Sequence, residues 1–391
     1  MVGYFHQLSR NSPNPSQLGR ALIEPAEPAG NDGHDNVNGD LIFHENEQCQ
    51  DGLGHIYQII QRLGCGNFGQ VYEVILMNPE FGDPRAYAMK VSKSTPLALN
   101  QFHYEEQVLT YLKSQFPQES LDHACLLESS FRFRNHEIII LPKFGPSLLD
   151  SLEFNGYHGL ELKLVQKVLI DILGPLDTLS RLHLIHCDVK PENILLDSHD
   201  SQNLRLIDFG SCCVQGDPNF RYVQSRYYRA PEVALELSFD SKADVWSLGC
   251  VAAELLLGLP LFPSSSTAHH LYLIDQMLGP FPGHIINQSP RSSEYFSHET
   301  APGTPRRIKS EEEFQQIGIS FGDFQPYFYQ TRLPDIILSY EIEAEDQDAV
   351  NLELRHRNVF IDLLNHMLAL DPEERYSAEE ALHHPFFSLK L

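Results

Sequence analysis

The sequence predicts an α+β protein in two lobes: a small N-terminal lobe built on an antiparallel five-stranded sheet with one helix, and a larger, mainly helical C-terminal lobe. Three observations predict this. From Ile56 to Leu141 apolar residues come in short, β-branched runs separated by turn residues, with one helical stretch among them. Beyond Gly145 the apolar spacing becomes that of helices. Inside the helical part, His186 to Glu232 carries three short polar motifs in a fixed order.

Residues 1–55 read as an N-terminal extension, largely disordered. Met1 to about Asp40 is rich in Asn, Pro, Gly and Ser and lacks a period, and Leu41-Ile42-Phe43 is a short strand leading in. The folded domain is expected over 56–387: first lobe 56–141, connector 142–145, second lobe 146–387. Ile56–Leu63 is a strand that runs into Gly64-Cys65-Gly66-Asn67-Phe68-Gly69-Gln70-Val71. Glycines there let backbone approach phosphates without interference from Cβ. The same Gly-x-Gly-x-x-Gly spacing serves dinucleotide sites, but those need a helix directly after the loop. Here Val71-Tyr72-Glu73-Val74-Ile75 is strand-like. Asn78–Pro84 is a hairpin turn and Ala86–Val91 a third strand. Lys90 closes its apolar run either as a snorkelling strand-end lysine or as a phosphate ligand, and its place after the glycine loop favours the second.

A helix over about Leu99–Lys113 has a partial apolar face of Phe102, Val108, Leu109 and Leu112. Glu105 and Glu106 both lie on it, and one should face Lys90. Glu105, one turn before Leu109, is chosen, with Glu106 the alternative. Leu121–Phe133 and Glu137–Leu141 complete the sheet, and Leu141-Pro142-Lys143-Phe144-Gly145 connects the lobes. Pro142 lacks an amide N–H but keeps its carbonyl, and Phe144 keeps both.

In the second lobe, Leu148–Leu152 starts a short helix. Leu162–Leu182 shows a stripe at Val165, Val168, Leu169, Ile172, Leu176 and Leu179, with a kink or an early end expected at Gly174-Pro175. Ile194-Leu195-Leu196 and Leu204-Arg205-Leu206-Ile207 are short strands that set Asp208 beside Asn193. Ala243–Leu255 is a buried helix, and Asp244 stands where it can cap the first turn. Phe262 to about Glu345 is mixed, rich in Pro, Ser and Gly. Helix returns at Phe360–Leu368, and Arg375 beyond it is a candidate ion-pair partner for Glu232.

Twenty-eight Lys and Arg against 53 Asp and Glu give a formal charge of −25. That argues against nucleic-acid and anionic-membrane binding. The seven cysteines are odd in number and lack zinc-type spacing, so they read as reduced thiols of the cytoplasm or nucleus. Met1–Arg20 has no signal-peptide pattern. The longest apolar run, Val251–Phe262, is broken by Glu254 and too short to span a bilayer.

The three motifs are His186-Cys187-Asp188-Val189-Lys190-Pro191-Glu192-Asn193, Asp208-Phe209-Gly210 and Ala230-Pro231-Glu232. Phosphoryl transfer needs phosphates held in line, cations to neutralise developing charge, and a carboxylate to orient the attacking hydroxyl. Asp188 suits the last role. The oxygens of Asn193 and Asp208 suit a hard cation such as Mg2+, and Lys190 reaches the phosphate in transfer. Either triplet alone is weak. Together, in register, they match the protein-kinase signature set apart from Cys187, which stands where arginine is usual.

From Tyr57 to Phe387 the chain thus resembles a eukaryotic protein kinase, and the lobes become those of the two-lobed protein-kinase fold. Lys190, two residues after Asp188, is similar to serine/threonine kinases. Ser211-Cys212-Cys213 after Asp208-Phe209-Gly210, and Tyr222-Val223-Gln224-Ser225-Arg226-Tyr227-Tyr228-Arg229, resemble the dual-specificity tyrosine-regulated (DYRK) family of the CMGC group. Asp40-Leu41-Ile42-Phe43 looks most like its Yak-type branch, and the segment at about 263–345 matches the position of the CMGC insert.

The resemblance implies ATP- and Mg2+-dependent phosphorylation of Ser and Thr in protein substrates, often before proline, by a monomer of the cytoplasm or nucleus. It implies catalytic roles for Asp188, Lys190, Lys90 and Glu105, and again selects Glu105 over Glu106. It implies ATP contacts from Leu63, Gly64, Cys65, Gly66, Asn67, Phe68, Gly69, Val71, Ala88, Lys90, Leu141, Pro142 and Phe144, with metal ligands Asn193 and Asp208. Autophosphorylation falls on Tyr222, clasped by Arg226 and Arg229. Asp244 holds the catalytic loop from behind, and Glu232 pairs with Arg375. Two departures stand out: Phe220 replaces the family's first activation-loop tyrosine, and Pro142 sits in the connector. Cys187 and Cys213 are expected to be neighbours and reduced. A binding-only pseudokinase should lack Lys90, Asp188, Asn193 or Asp208, and a small-molecule kinase should lack Ala230-Pro231-Glu232. Both sets are present.

Overall fold

The computed structural model describes residues 19–78, 85–116, 123–197, 203–217, 223–297, 306–322, 326–342 and 346–391. The turn expected at Asn78–Pro84 falls outside them from residue 79 on, as do residues 1–18 of the expected extension. The chain forms two compact units. The first holds the residues up to 115 and 125–143, the second 116–124 and 144–391.

The first unit contains β1 (Gln48–Gln50), β2 (Ile56–Cys65), β3 (Gly69–Leu76), β4 (Arg85–Ser92), α1 (Pro96–Gln115), β5 (Ser129–Phe133) and β6 (His136–Pro142). They build one antiparallel sheet in the order β1-β2-β3-β4-β6-β5. The expected five strands become six, because Gln48-Cys49-Gln50 pairs with Ile56–Gln58 at the edge. Three residues, two of them polar, carry too little alternation to be read as a strand. The strand expected over Leu121–Phe133 shrinks to Ser129–Phe133.

Strand alternation sets two faces. Tyr57, Ile59, Tyr72, Val74, Met89, Val91, Ile138 and Ile140 share one core cluster, and Leu41, Phe43 and Cys49 join it. Lys90 and Ile139, paired across β4 and β6, occupy the intervening positions. α1 buries Ala98, Phe102, Glu105, Val108, Leu109 and Leu112.

The expected disorder is overturned for residues 19–55. Leu41 and Phe43 are buried, a stabilisation of about 1.5–3 kcal/mol each. Phe43 meets Tyr72 edge-on and stacks on Phe133. Turn-rich composition was misleading because polar side chains tie these turns down. Asn36 Oδ1 accepts from the amides of Asn38 and Asp40, and Asn36 Nδ2 donates to Pro25 O. Asp35 Oδ1 lies 2.8 Å from the buried His136 Nε2, and Arg134 pairs with Glu47 at 2.9 Å. Leu41–Phe43 is no strand; only isolated bridges at Asp35–Leu41 and Ala21–His44 flank it.

The second unit contains α2 (Leu148–Phe154), α3 (Leu162–Arg181), β7 (Leu184–Ile185), β8 (Ile194–Leu196), β9 (Leu204–Leu206), β10 (Cys213–Val214), α4 (Pro231–Ala234), α5 (Lys242–Leu257), α6 (Thr267–Leu278), α7 (Gly283–Gln288), α8 (Ser292–Tyr295), α9 (Glu311–Gln316), α10 (Leu333–Ser339), α11 (Gln347–Met367) and α12 (Ala378–Leu382). Ser147 and Asp150 form a capping box on α2. The α3 stripe is buried as its spacing requires, but the helix runs through Gly174-Pro175 to Arg181, so the expected early end does not occur. α5 is buried from Ala243 to Leu257 and ends at Gly258, with φ +78°. A Cβ there would also lie 1.9 Å from Tyr157 O, so only glycine fits. β7 pairs with β10, and β8 with β9. The region expected to be mixed, about 263–345, carries α6 to α10. Among the described residues no helix is long and apolar enough to cross a membrane.

Candidate active site

The first unit supplies a glycine hairpin and a lysine. β2 and β3 pair through to Cys65–Gln70, and Gly66 N donates to Gly69 O at 2.8 Å. A strand, not a helix, comes after the loop. The glycines differ in kind. A Cβ on Gly64 or Gly66 would meet no atom within 4 Å, whereas one on Gly69 would lie 2.2 Å from Val91 O. Gly69 is there for packing, and Gly64 and Gly66 leave their space open. Leu63, Cys65, Asn67 and Phe68 are exposed around them, and Val71 sits in β3 opposite Gly64 and Lys90. Lys90 Nζ is 2.6 Å from Glu105 Oε1 and 5.9 Å from the Phe102 ring centre. Glu106 instead accepts from Ser130 Oγ. Ala88 pairs with Leu141 and Tyr87 with Pro142, so the proline closes β6.

The second unit supplies the carboxylate cluster. α3 and β7 lead into the loop at His186, and β8–β9 pairing brings its end back beside Ile207. Ile207 N donates to Asn193 O at 2.9 Å, which brings Asp208 next to Asn193. Asp188 is the hub. Its Oδ2 accepts from Lys190 Nζ at 2.8 Å and Asn193 Nδ2 at 3.0 Å, and its Oδ1 from Ser225 Oγ at 2.7 Å. Asn193 Nδ2 also donates to Asp188 O, so Oδ1 is the atom that Asn193 can offer elsewhere. Asp208 takes a left-handed conformation, φ +65°. Phe144 begins the longer stretch of this unit and lies under the Arg205 guanidinium at 5.4 Å.

The loop is fixed from beneath. Asp244 does not cap α5; its two oxygens accept from His186 N at 2.6 Å and Cys187 N at 2.9 Å. Burial pushes its carboxyl up, more than His186 and the two amides draw it down. Those bonds hold Cys187 at φ +64°. His186 Nε2 donates to Ile207 O, which leaves Nδ1 to accept from Asp188 N. Cys187 Sγ lies 3.4 Å from Cys213 Sγ, and no disulfide joins any of the seven cysteines. The bond with Cys213, then burial, hold the Cys187 thiol well above its ordinary range.

Glu232 and Arg375 form a two-pronged ion pair, at 2.6 and 2.9 Å. Tyr222 and Phe220 lie outside the described residues. Of the two proposed clasp residues, Arg226 Nη1 donates to Ser265 O, and Arg229 donates to Val223 O and Gln224 O. Sequence reasoning missed Ser225 and Gln224. Ser225 meets Asp188 from 37 residues away, and its one signal is its place two residues before the tyrosine pair. Gln224, at φ +66°, bonds Ala243 O and Ser247 Oγ and accepts from Ala230 N.

Glu254 of α5, 2.8 Å from Tyr228 Oη, is a buried titrating group beside this segment. Burial pushes its pKa up to about 7; the Tyr228 bond opposes this and Glu192 adds to it. A raised folded-state value means the folded protein holds the extra proton, so stability falls as pH rises from about 4.5 to 7. Glu254→Gln keeps an acceptor for Tyr228. It is expected to stabilise the protein at pH 8 by something on the order of 3 kcal/mol and to do little at pH 4.5, as paired thermal melts would read.

The protein kinase domain family matches residues 57–387. This chain belongs to the protein kinase family. Within it, the chain sits in the Yak-like branch of the DYRK kinases. It is 35% identical over 388 residues to the probable serine/threonine-protein kinase yakA of Dictyostelium discoideum, covering 94% of this chain and 26% of that protein. It is 34% identical to the dual specificity protein kinase YAK1 of Saccharomyces cerevisiae, covering 97% and 47%. It is likewise 34% identical to the serine/threonine-protein kinase ppk15 of Schizosaccharomyces pombe, covering 94% and 69%. This kinase-family chain thus spans less than half the length of the first two relatives.

Proposed function

We propose that this chain transfers the γ-phosphoryl group of ATP to Ser and Thr hydroxyls of protein substrates and phosphorylates its own Tyr222. The observation that carries the reading is the Asp188 cluster: one carboxylate held by Lys190, Asn193 and Ser225. Bound ATP with Mg2+ supplies the phosphoryl group and neutralises the charge that builds on it. The residues fit both. Gly64 and Gly66 leave open the room a phosphate chain needs, and Asn193 and Asp208 offer the oxygen donors a hard cation takes.

In this reading Asp188 accepts a hydrogen bond from the attacking hydroxyl and orients it. Ser225 and Asn193 fix the carboxylate, and Lys190 brings positive charge to the phosphate in transfer. Lys90, kept in place by Glu105, pairs with the nucleotide phosphates. Leu63, Cys65, Asn67, Phe68, Val71, Ala88, Leu141, Pro142 and Phe144 line the nucleotide. Arg226 and Arg229 receive the phosphate on Tyr222. The enzyme acts as a monomer in cytoplasm or nucleus, and its charge of −25 favours basic protein substrates over nucleic acid or membrane.

The backbone at Gln224 supports acceptors followed by proline. Gln224 O already accepts from Arg229 Nη2 at 2.7 Å. In this reading the left-handed turn at Gln224, φ +66°, aims that carbonyl at Arg229 and away from the substrate backbone, and a proline there, which has no N–H, loses nothing.

Phosphopeptide mapping of the protein expressed in bacteria, beside Asp188→Ala, tests the reading. Phosphotyrosine at Tyr222 in the unaltered protein alone, with ATP- and Mg2+-dependent labelling of Ser-Pro peptides, is the expected result. No phosphate on either protein or peptide would overturn it.

A further inference from the structure

The second unit holds a cavity that phosphoryl transfer itself does not use; its assignment rests on the kinase reading only for the identity of the ligand. Its volume is about 270 Å3, room for a large side chain and part of its neighbour. Tyr272 and Met277 of α6 form one wall, Phe321 a second, and Tyr327 with Phe328 a third. The walls are fixed. Phe321 stacks on His269 at 4.5 Å and packs on Tyr272 and Phe314. Tyr327 meets Phe328 edge-on and donates its hydroxyl to Pro260 O. Apolar surface continues outside, where Tyr329, between the lining residues Phe328 and Gln330, is wholly exposed. Surface of this kind gathered round a cavity marks a place of contact.

The charge at the mouth selects the partner. Glu311 lines the cavity and Glu312 is exposed beside it, and no lysine or arginine lines it among the described residues. Of the nearby cations, Arg307 is engaged by Glu313 at 2.7 Å, and the exposed Arg332, next to the lining Thr331, turns to α6 and donates to Asp275 O at 3.4 Å. A second copy of the chain, at net charge −25, is repelled. A basic protein is not.

The cavity is also tied to the candidate active site. Ser265 Oγ donates to Phe321 O, and Ser265 O accepts from Arg226 Nη1 at 2.9 Å. Arg226 follows Ser225, which bonds Asp188. A protein held at the cavity is therefore held beside the segment that meets the acceptor.

We propose that this cavity is a docking pocket for protein substrates. It takes an apolar or aromatic side chain flanked by Lys or Arg, at a site apart from the phosphorylated sequence. The occupant binds by burying its apolar group while its cations face Glu311 and Glu312. Docking of this kind raises affinity for whole proteins and leaves short acceptor peptides unaffected.

The test uses the full chain, fluorescein-labelled myelin basic protein, and a short arginine-flanked Ser-Pro peptide. Gln276→Trp, on an exposed position of α6 at the cavity, fills it; Glu311→Lys reverses its charge; Glu379→Lys makes the same charge change on α12. The first two are expected to weaken binding of myelin basic protein by about tenfold or more and to raise its KM in parallel. Glu379→Lys should leave binding within about twofold, and all three should turn over the short peptide like the unaltered protein, which also reports that they fold. Equal weakening by Glu379→Lys and Glu311→Lys would mean diffuse attraction to an acidic surface and overturn the proposal. So would unchanged binding by Gln276→Trp, or no binding by the unaltered protein. If neither substrate is phosphorylated, the kinase reading fails, while the binding comparison still decides the pocket.

Discussion

Arg375→Ala is expected to lower the stability of the second unit by about 3–5 kcal/mol, the usual cost of stranding one partner of a buried ion pair. Arg375 and Glu232 are each 1% exposed. The guanidinium serves more than the carboxylate: it also donates to Ala369 O and Lys242 O and lies 5.1 Å from the Trp246 ring. Its loss leaves a buried charge and takes a donor from Ala369 O, while Lys242 O keeps its place in the α5 hydrogen-bond ladder. Denaturant midpoints of the full chain check the size. A shift under about 1 kcal/mol would mean that water or a rearranged side chain reaches Glu232. Glu232→Gln with Arg375→Met should recover part of the loss, because the stranded charge, more than the missing attraction, sets the cost.

Asp188→Asn should lower kcat on a Ser-Pro peptide by about 10²–10⁴, the usual share of a positioned proton acceptor. Asparagine keeps the shape but cannot accept from Lys190, Asn193 and Ser225 together. Some loop rearrangement follows, so melting is measured alongside; the fold is expected to hold because Asp244, not Asp188, ties the loop to α5. A fall in kcat with KM little changed would mark the role as one exercised in the transition state. Activity within about threefold of the unaltered enzyme would remove Asp188 from that role.

The site was legible where chemistry is contiguous. Asp188, Lys190 and Asn193 lie within six residues, and a loop that short brings them to one place whatever the rest of the fold does. Glu105 was legible for a different reason: a helix of known apolar face points one glutamate inward. Ser225 was not, because its partner is chosen by how a long segment folds back, and no local pattern reports that. Asp244 stood near a helix start, and capping was one local reading; the amides it serves lie 57 and 58 residues away. The same limit explains residues 19–55. Hydrophobic period detects segments held by apolar stripes, whereas this one buries Ile23, Leu41, Ile42, Phe43 and Cys49 at no regular spacing and secures the rest through Asn36, Asp35 and Glu47.

That segment separates two meanings of the word domain. By kinship the kinase domain begins at residue 57. By folding it begins earlier, since Leu22 packs against the cluster that Leu41, Phe43 and Cys49 complete. A fragment cut at the kinship boundary would keep the glycine loop and all three polar motifs and lose the lid of its own sheet, leaving Tyr72, Val74 and Met89 to seek another cover, in another copy of itself or in a chaperone.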